Sequence, residues 1–249
     1  MTKLHIDDFL GRYKSREFID LVEKWDCNLE RKTVLKTDLR EEAFGEDEIL
    51  FSLSNKNTRF FALDISKETV KKADIRQKEK GFVHRYTVAD VRNLPFKSDV
   101  FDFILSSSTL DHFNSENELI KALLELKRVV KPVGSLIITL NNRCNVNFYL
   151  LLKLKKLFGL TAYPEQFYCS RQLKTIFQKV GLYIQGEDYS AHIISPVNST
   201  LLLLRKFISK KVIDRIARGS VSFFRWLGKR EKTKIFTGWF IALKCNKTY

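Results

Sequence analysis

Between Thr33 and Asn142, short apolar runs alternate with longer amphipathic stretches, and this alternation leaves few folds open to the chain. "TVLKT", "RFFALDIS", "FVHRYTVAD", "FDFILSSS" and "GSLIITLNN" have the length and the β-branched and aromatic content of buried strands. Helical patterns lie between them in "REEAFGEDEILFSL", "KETVKKADIRQKEKG", which ends on Gly81, and "ENELIKALLELKRVVK". Repeated β-α-β units of this kind predict a parallel sheet covered by helices, with ligands at the carboxyl ends of the strands. Upstream, "HIDDFLGRYKSREFIDLVEKW" spaces Phe9, Tyr13, Phe18, Leu21, Val22 and Trp25 as a helix that packs across the edge of the sheet. Downstream come a helix, "SRQLKTIFQKVGL", a strand, "LYIQGEDYSAHII", and a closing strand, "FTGWFIALKC".

Charge divides the chain in two. Residues 1–140 hold 24 Lys and Arg against 24 Asp and Glu, whereas residues 141–249 hold 20 against 5. The whole net charge of +15 therefore lies in the C-terminal part, a field that attracts lipid headgroups, phosphorylated substrates or nucleic acid. Two basic amphipathic tracts carry it, "NFYLLLKLKKLFGL" and Ser199 to Lys229. On a helical projection of the second, Ile208, Val212, Ile213, Ile216, Phe223 and Leu227 share one side. Lys210, Lys211, Arg215, Arg218, Arg225 and Lys229 share the other, and Gly219 is a candidate break between two helices. The alternative is that both apolar faces cover the sheet and both basic faces are merely solvated. Cys27, Cys144, Cys169 and Cys245 form no C-x-x-C pair, so a cytoplasmic protein with reduced thiols is expected. The charged start "MTKLHIDDFLGRYK" lacks a secretory apolar region, which leaves a soluble protein or one peripheral at a membrane.

The richest segment is "YTVADVRNLPFKSDVFDFILSSSTLDHF". Its D-x-x-x-L-P-F followed by F-D-x-I resembles the class I S-adenosylmethionine-dependent methyltransferases of the small-molecule type, over about Val34 to Asn142. The resemblance implies an α/β, Rossmann-like sheet of about seven strands, the last antiparallel, with helices on both faces. One domain over 1–249 is expected: a helical cover (1–30), a cofactor-binding core (31–142), and basic substrate-recognition helices with the closing strands (143–249). It implies S-adenosyl-L-methionine as cofactor, with Asp64 and its neighbour Ile65 at the ribose and Asp90 with Val91 at the adenine edge. Ser106, Ser107 and Ser108 would floor the pocket. On the residues alone, Asp64 could equally cap the following helix.

The first loop departs from the family. "VLKTDLREEAFG" has no glycine until Gly45, and Lys36, Thr37, Asp38, Leu39 and Arg40 occupy positions where family members bring bare backbone against the ligand. Asp38 and Glu41 have capping-box spacing, and Asp38, Glu41 and Glu42 place three acids at a helix start. Diphosphate would be repelled there, which disfavours NAD and FAD; a donor bearing a sulfonium and an ammonium would not be. Lys36, Thr37, Asp38 and Glu42 are accordingly expected at the cofactor, unless the acids are only helix-start residues.

After strand four, Asp111 and His112 are candidates for catalysis, His112 as general base and Asp111 as its orienting or substrate-binding partner. The competing assignment is a helix cap and a packing residue. His5, His84 and His192 show no ligand spacing, so no metal site is expected. The leading expectation is methyl transfer to an O or N nucleophile of a small or lipid-like, anionic acceptor, with an anionic membrane surface as a second partner. Two alternatives stand beside it: a non-catalytic module of the same fold that binds a membrane or partner, and an RNA methyltransferase. Nucleic acid is the less favoured partner because no N-P-P-Y-type tetrapeptide or aromatic RNA-binding box is present.

Overall fold

The computed structural model describes residues 5–25, 28–45, 49–54, 57–146, 166–192 and 209–247. The first basic tract, the first ten residues of the second, and Cys27 lie outside the described residues. In chain order the elements are α1 (His5–Lys24), β1 (Thr33–Lys36), α2 (Arg40–Phe44), α3 (Ile49–Leu53), β2 (Arg59–Asp64), α4 (Lys67–Glu79), β3 (Arg85–Val88) and β4 (Phe101–Ser107). A 3-10 turn (Leu110–His112), α5 (Glu116–Val129), β5 (Val130–Asn141), α6 (Ser170–Lys179), β6 (Leu182–His192), α7 (Lys210–Gly228), α8 (Glu231–Thr237) and β7 (Gly238–Lys247) complete the order.

Seven strands form one sheet in the order β3-β2-β1-β4-β5-β7-β6. Pairings from β3 through β5 are parallel, and β7 runs antiparallel between β5 and β6. The Rossmann-like expectation holds, including the inverted last strand. Strand order reverses on either side of β1 and β4, the place where an open α/β sheet leaves a crevice.

Both faces are covered because both faces of the central strands are apolar. On one side Leu35, Leu63, Phe101, Ile104 and Leu136 meet Leu119, Leu123 and Leu126 of α5 and Leu173, Ile176 and Phe177 of α6. On the other, Val34, Phe60, Phe103, Leu105 and Ile137 meet Phe18, Leu21 and Val22 of α1, Leu50 of α3 and Ala73 of α4. α1 forms as its spacing predicts, but packs on this face of the sheet rather than across its edge. Local signals set the helix ends: Ser66 and Ser115 accept the Thr69 and Glu118 amides at 3.2 and 3.3 Å. Gly81, with φ +76°, closes α4 in a conformation that would strain any other residue.

Two expectations fail. The stretch 40–53 is not one helix: α2 stops at Phe44, and Gly45 is extended (φ −78°, ψ 168°). Gly219 does not interrupt α7, which runs unbroken over 19 residues. Nothing lies within 4 Å of where a Gly219 side chain would begin, so packing does not require glycine there, and its entropic cost of about 1 kcal/mol is too small to break a helix of this length.

α7 returns to the sheet at Gly228, where an added Cβ would fall 2.3 Å from the ring of His192. That ring is fixed by Thr237 Oγ1 at 2.9 Å and the Tyr189 carbonyl at 3.0 Å. Gly228→Ala is therefore expected to destabilise the fold by about 1–3 kcal/mol, the usual range for overpacking, measured by chemical denaturation. Unchanged stability would show that the α7–β6 junction has slack.

Candidate active site

At the carboxyl ends of β1, β2 and β3 lies a crevice of about 370 Å3, within the range of small-molecule sites. Its walls include Thr37 and Asp38 after β1, Asp64 and Ile65 after β2, Asp90 to Arg92 after β3, and Thr109 and His112 to Asn114 after β4. Six sequence-predicted residues lie elsewhere: Lys36, Glu42, Ser106, Ser107 and Asp111 are buried, Ser108 is half-buried, and none of them lines it.

Lys36 explains how the loop does without glycine. Its ammonium is wholly buried beneath the loop and donates to the Asp38 carbonyl, to Glu42 Oε2 at 2.8 Å and to Glu41 Oε2 at 3.5 Å. Glu42 Oε1 accepts the Leu50 amide at 3.0 Å, and the Arg76 guanidinium donates to the Glu42 carbonyl at 3.0 Å. One lysine thus ties the end of β1 to α2, α3 and, through Glu42, α4. Burial works against its charge, yet Glu42, Glu41 and Asp38 outweigh it and hold the ammonium above the ordinary lysine range. Burial pushes the Glu42 carboxyl up against the pull of Lys36. With 2.8 Å between them and a second amide on Glu42, we read the pair as ionised. Burial also acts against charge on Glu41, but Lys36 and Lys14 prevail and bring its carboxyl down to about 2.

The capping box and the three-acid rim are therefore absent. Asp38 accepts the Arg40 amide at 2.5 Å in a tight local turn, and Glu41 turns to Lys36 and Lys14. Of the three acids only Asp38 lines the crevice; Glu42 is consumed by the buried lysine. The crevice is acidic for another reason. Asp38, Asp64, Asp90 and Glu118 face it against the single guanidinium of Arg92.

Asp64 bridges two loops. Its Oδ1 accepts the Ser66 amide at 2.8 Å and its Oδ2 the Leu39 amide at 3.3 Å, leaving a lone pair on each oxygen. Arg92 grips both oxygens of Asp90 at 2.6–3.0 Å, reaches Glu118 on α5 and stacks 5.3 Å from the centre of the Phe113 ring. That hydrogen bonding holds the Asp90 carboxyl below its ordinary value. Thr37 Oγ1 bonds Ser106 Oγ at 3.0 Å and Thr109 Oγ1 at 2.9 Å, joining the ends of β1 and β4 beneath the crevice. The sequence pattern does not single out Thr109, Arg92, Phe113, Asn114 or Glu118. Only the proximity of "DVR" and "HFN" to the motif residues hints at them.

Beside the crevice, β4 ends in a strained turn. Ser108 has φ +50°, its amide donates to Thr139 Oγ1 at 2.9 Å, and its hydroxyl donates to Asp111 Oδ2 at 3.1 Å. Asp111 is fully buried and its Oδ1 has no partner; the Ser107 and Tyr168 hydroxyls are also buried and unpartnered. Burial raises the Asp111 carboxyl to about 6, against the pull of His112 and the Ser108 hydroxyl. His112 itself is exposed on the crevice wall. Among the described residues no group of His, Cys, Asp or Glu could hold a metal ion.

Residues 41–138 match a family model described as a methyltransferase domain. The chain has the class I methyltransferase fold. A tRNA (carboxymethyluridine(34)-5-O)-methyltransferase from Arabidopsis thaliana is 38% identical over 85 residues, 34% of this chain. The match spans about a fifth of that relative's length. Magnesium protoporphyrin IX methyltransferase from Synechocystis, solved with bound S-adenosylhomocysteine, superposes with a TM-score of 0.65 at 13% identity, covering 100% of this chain and 90% of the other. An S-adenosylmethionine-dependent methyltransferase from Clostridium acetobutylicum gives 0.61 at 16% identity, covering 98% and 97%.

Two outcomes are expected from the buried charges. Lys36→Met strands Glu42 and should cost about 3–5 kcal/mol in chemical denaturation, most of it recovered in Lys36→Met with Glu42→Leu. Asp111 favours its protonated form in the fold, so its penalty is absent below pH 3.8, grows as pH rises, and is complete above about 6. Asp111→Asn should accordingly be more stable than the parent by up to about 3 kcal/mol at pH 8, the gap closing towards pH 4. A gap that does not change with pH contradicts this.

Proposed function

We propose that this chain is an S-adenosylmethionine-dependent methyltransferase acting on an O or N nucleophile of a small or lipid-like, anionic acceptor. The observation that carries the reading is the open acidic crevice at the carboxyl ends of β1 to β3, most of whose walls come from the matched segment, with Thr37 and Asp38 just before it. Its four carboxylates suit a cationic nucleoside and oppose a diphosphate. When bound, S-adenosylmethionine supplies a methyl group on a sulfonium. Asp64 would accept the ribose hydroxyls with its remaining lone pairs, and Asp90 with the Val91 backbone would meet the adenine edge. Arg92, held by Asp90 and Glu118, stiffens that wall. Thr37, Asp38 and Ile65 complete the donor side, while Lys36 and Glu42 support it from below.

His112, exposed on the crevice wall, would take the proton from the acceptor. Asp111 acts one layer deeper, where its unpartnered oxygen and the neighbouring Tyr168 hydroxyl can fix the acceptor or the imidazole. Most of the rate would come from holding acceptor and donor in line and excluding water. In this reading a lipid-like acceptor is met at an anionic membrane surface, and the protein works at the cytoplasmic side.

RNA is a second reading, favoured by the 38% identity with a tRNA methyltransferase and by the C-terminal charge. That match covers 34% of this chain and about a fifth of the relative, however, too little to carry the relative's acceptor across.

Thermal melting with S-adenosylhomocysteine tests the donor site. At 100 times its dissociation constant the ligand should stabilise the chain by about 2.7 kcal/mol, and Asp64→Ala should remove most of that gain. No shift in the parent chain refutes the donor; an undiminished shift in Asp64→Ala refutes the ribose assignment.

A further inference from the structure

Helix α7 presents three faces rather than two. Ile213 and Val221 turn inward and are buried, while Arg225 is tied to α1 through Glu17 and Asp20, both at 3.1 Å, and lies over the Tyr13 ring. Those contacts fix how the helix is rotated. They leave Val212, Ile216, Phe223 and Trp226 facing outward, between 43% and 53% exposed. At the helical repeat these four fall within an arc of about 80°, two apolar pairs on one line, separated by Gly219 and open to solvent along their outer side. Phe223 and Trp226 stack at 6.0 Å, and Arg230 lies 4.0 Å over the indole. Exposed Lys211, Arg215, Arg218 and Lys229 form a basic strip along one flank of the stripe.

We infer that this outward face of α7 docks onto an anionic lipid bilayer, with the Val212–Ile216–Phe223–Trp226 stripe in the acyl boundary and the flanking cations on the headgroups. Charge complementarity selects that occupant. A phosphate backbone would satisfy the cations but offers nothing to cover four aliphatic and aromatic side chains. A second copy would bring one basic strip against another. The placement also serves access: α7 ends at Gly228 against His192, the last residue of β6, and β6 runs parallel to β5. The docked helix therefore reaches the same edge of the sheet at which the crevice opens. No helix among the described residues is long and apolar enough to cross a membrane, so the contact is one of lying on the surface. The inference names the partner in the reading above and rests on it only for the kind of acceptor.

Co-sedimentation of the full chain with phosphatidylcholine vesicles, and with vesicles about one-third phosphatidylglycerol, tests it. The chain should pellet with the anionic vesicles and be released in part by salt. Phe223→Asp with Trp226→Asp should lower partitioning about tenfold or more, because a charged stripe cannot enter the acyl boundary. Lys211→Glu with Arg215→Glu and Arg218→Glu should remove the preference for anionic lipid. All these side chains are exposed, and an unchanged melting shift with S-adenosylhomocysteine in each variant shows that fold and donor site are intact. Absence of vesicle binding, or binding indifferent to the apolar substitutions, overturns the inference. So does a dimer, seen by size exclusion, that the Phe223→Asp/Trp226→Asp chain loses, or capture of tRNA by this face in place of vesicles. A parent chain that binds vesicles without binding S-adenosylhomocysteine refutes the methyltransferase reading alone.

Discussion

A single buried ammonium organises the loops around the crevice of this protein. Lys36 is wholly enclosed at the end of the first strand, within 2.8 Å of Glu42 and 3.5 Å of Glu41. A charge so placed is tolerable only while its partners stay in position. It therefore dictates where α2 begins, where Glu42 meets α3, and how the loop between β1 and α2 runs. Glycine loops keep a crevice clear by having no side chains. Here the crevice is kept clear because the lysine and Glu42 are pulled beneath it and Glu41 is turned towards Lys14.

The same arrangement settles the electrostatics of the crevice. Neutralising Glu42 internally leaves Asp38, Asp64, Asp90 and Glu118 as the acids that face a ligand, with Arg92 as the one opposing guanidinium among the lining residues. Arg92 spans Asp90 and Glu118 and so fixes the distance between the β3 loop and α5. Across the crevice the strained Ser108 turn buries Asp111 next to the exposed His112. Burial there raises the Asp111 carboxyl while the His112 imidazole stays exposed, so two titratable groups in contrasting surroundings meet beside the crevice.

Much of this is legible in the sequence. Alternating apolar runs give the strands and both helical layers, and the strand ends at Asp64 and at Asp90, where D-x-x-x-L-P-F begins, place both acids on one edge. The first loop is not legible in detail, because spacing alone cannot distinguish a capping box from a buried ion pair. Asp38 and Glu41 have the right interval for the former, and only the three-dimensional position of Lys36 decides for the latter. Likewise a helical wheel shows that α7 has an apolar arc but not how wide a sector the sheet covers. Arg225, placed on the solvent side by the wheel, is the anchor to α1, and that rotation exposes half of the arc.

The claim that binds these parts together is that a lysine-braced, glycine-free loop leaves an open crevice whose acids select a cationic nucleoside. Calorimetric titration of the parent chain with S-adenosylmethionine and, separately, with NAD tests it most directly. The account predicts one equivalent of S-adenosylmethionine bound with measurable heat and no binding of NAD. Binding of NAD, or a flat titration with S-adenosylmethionine, would contradict it.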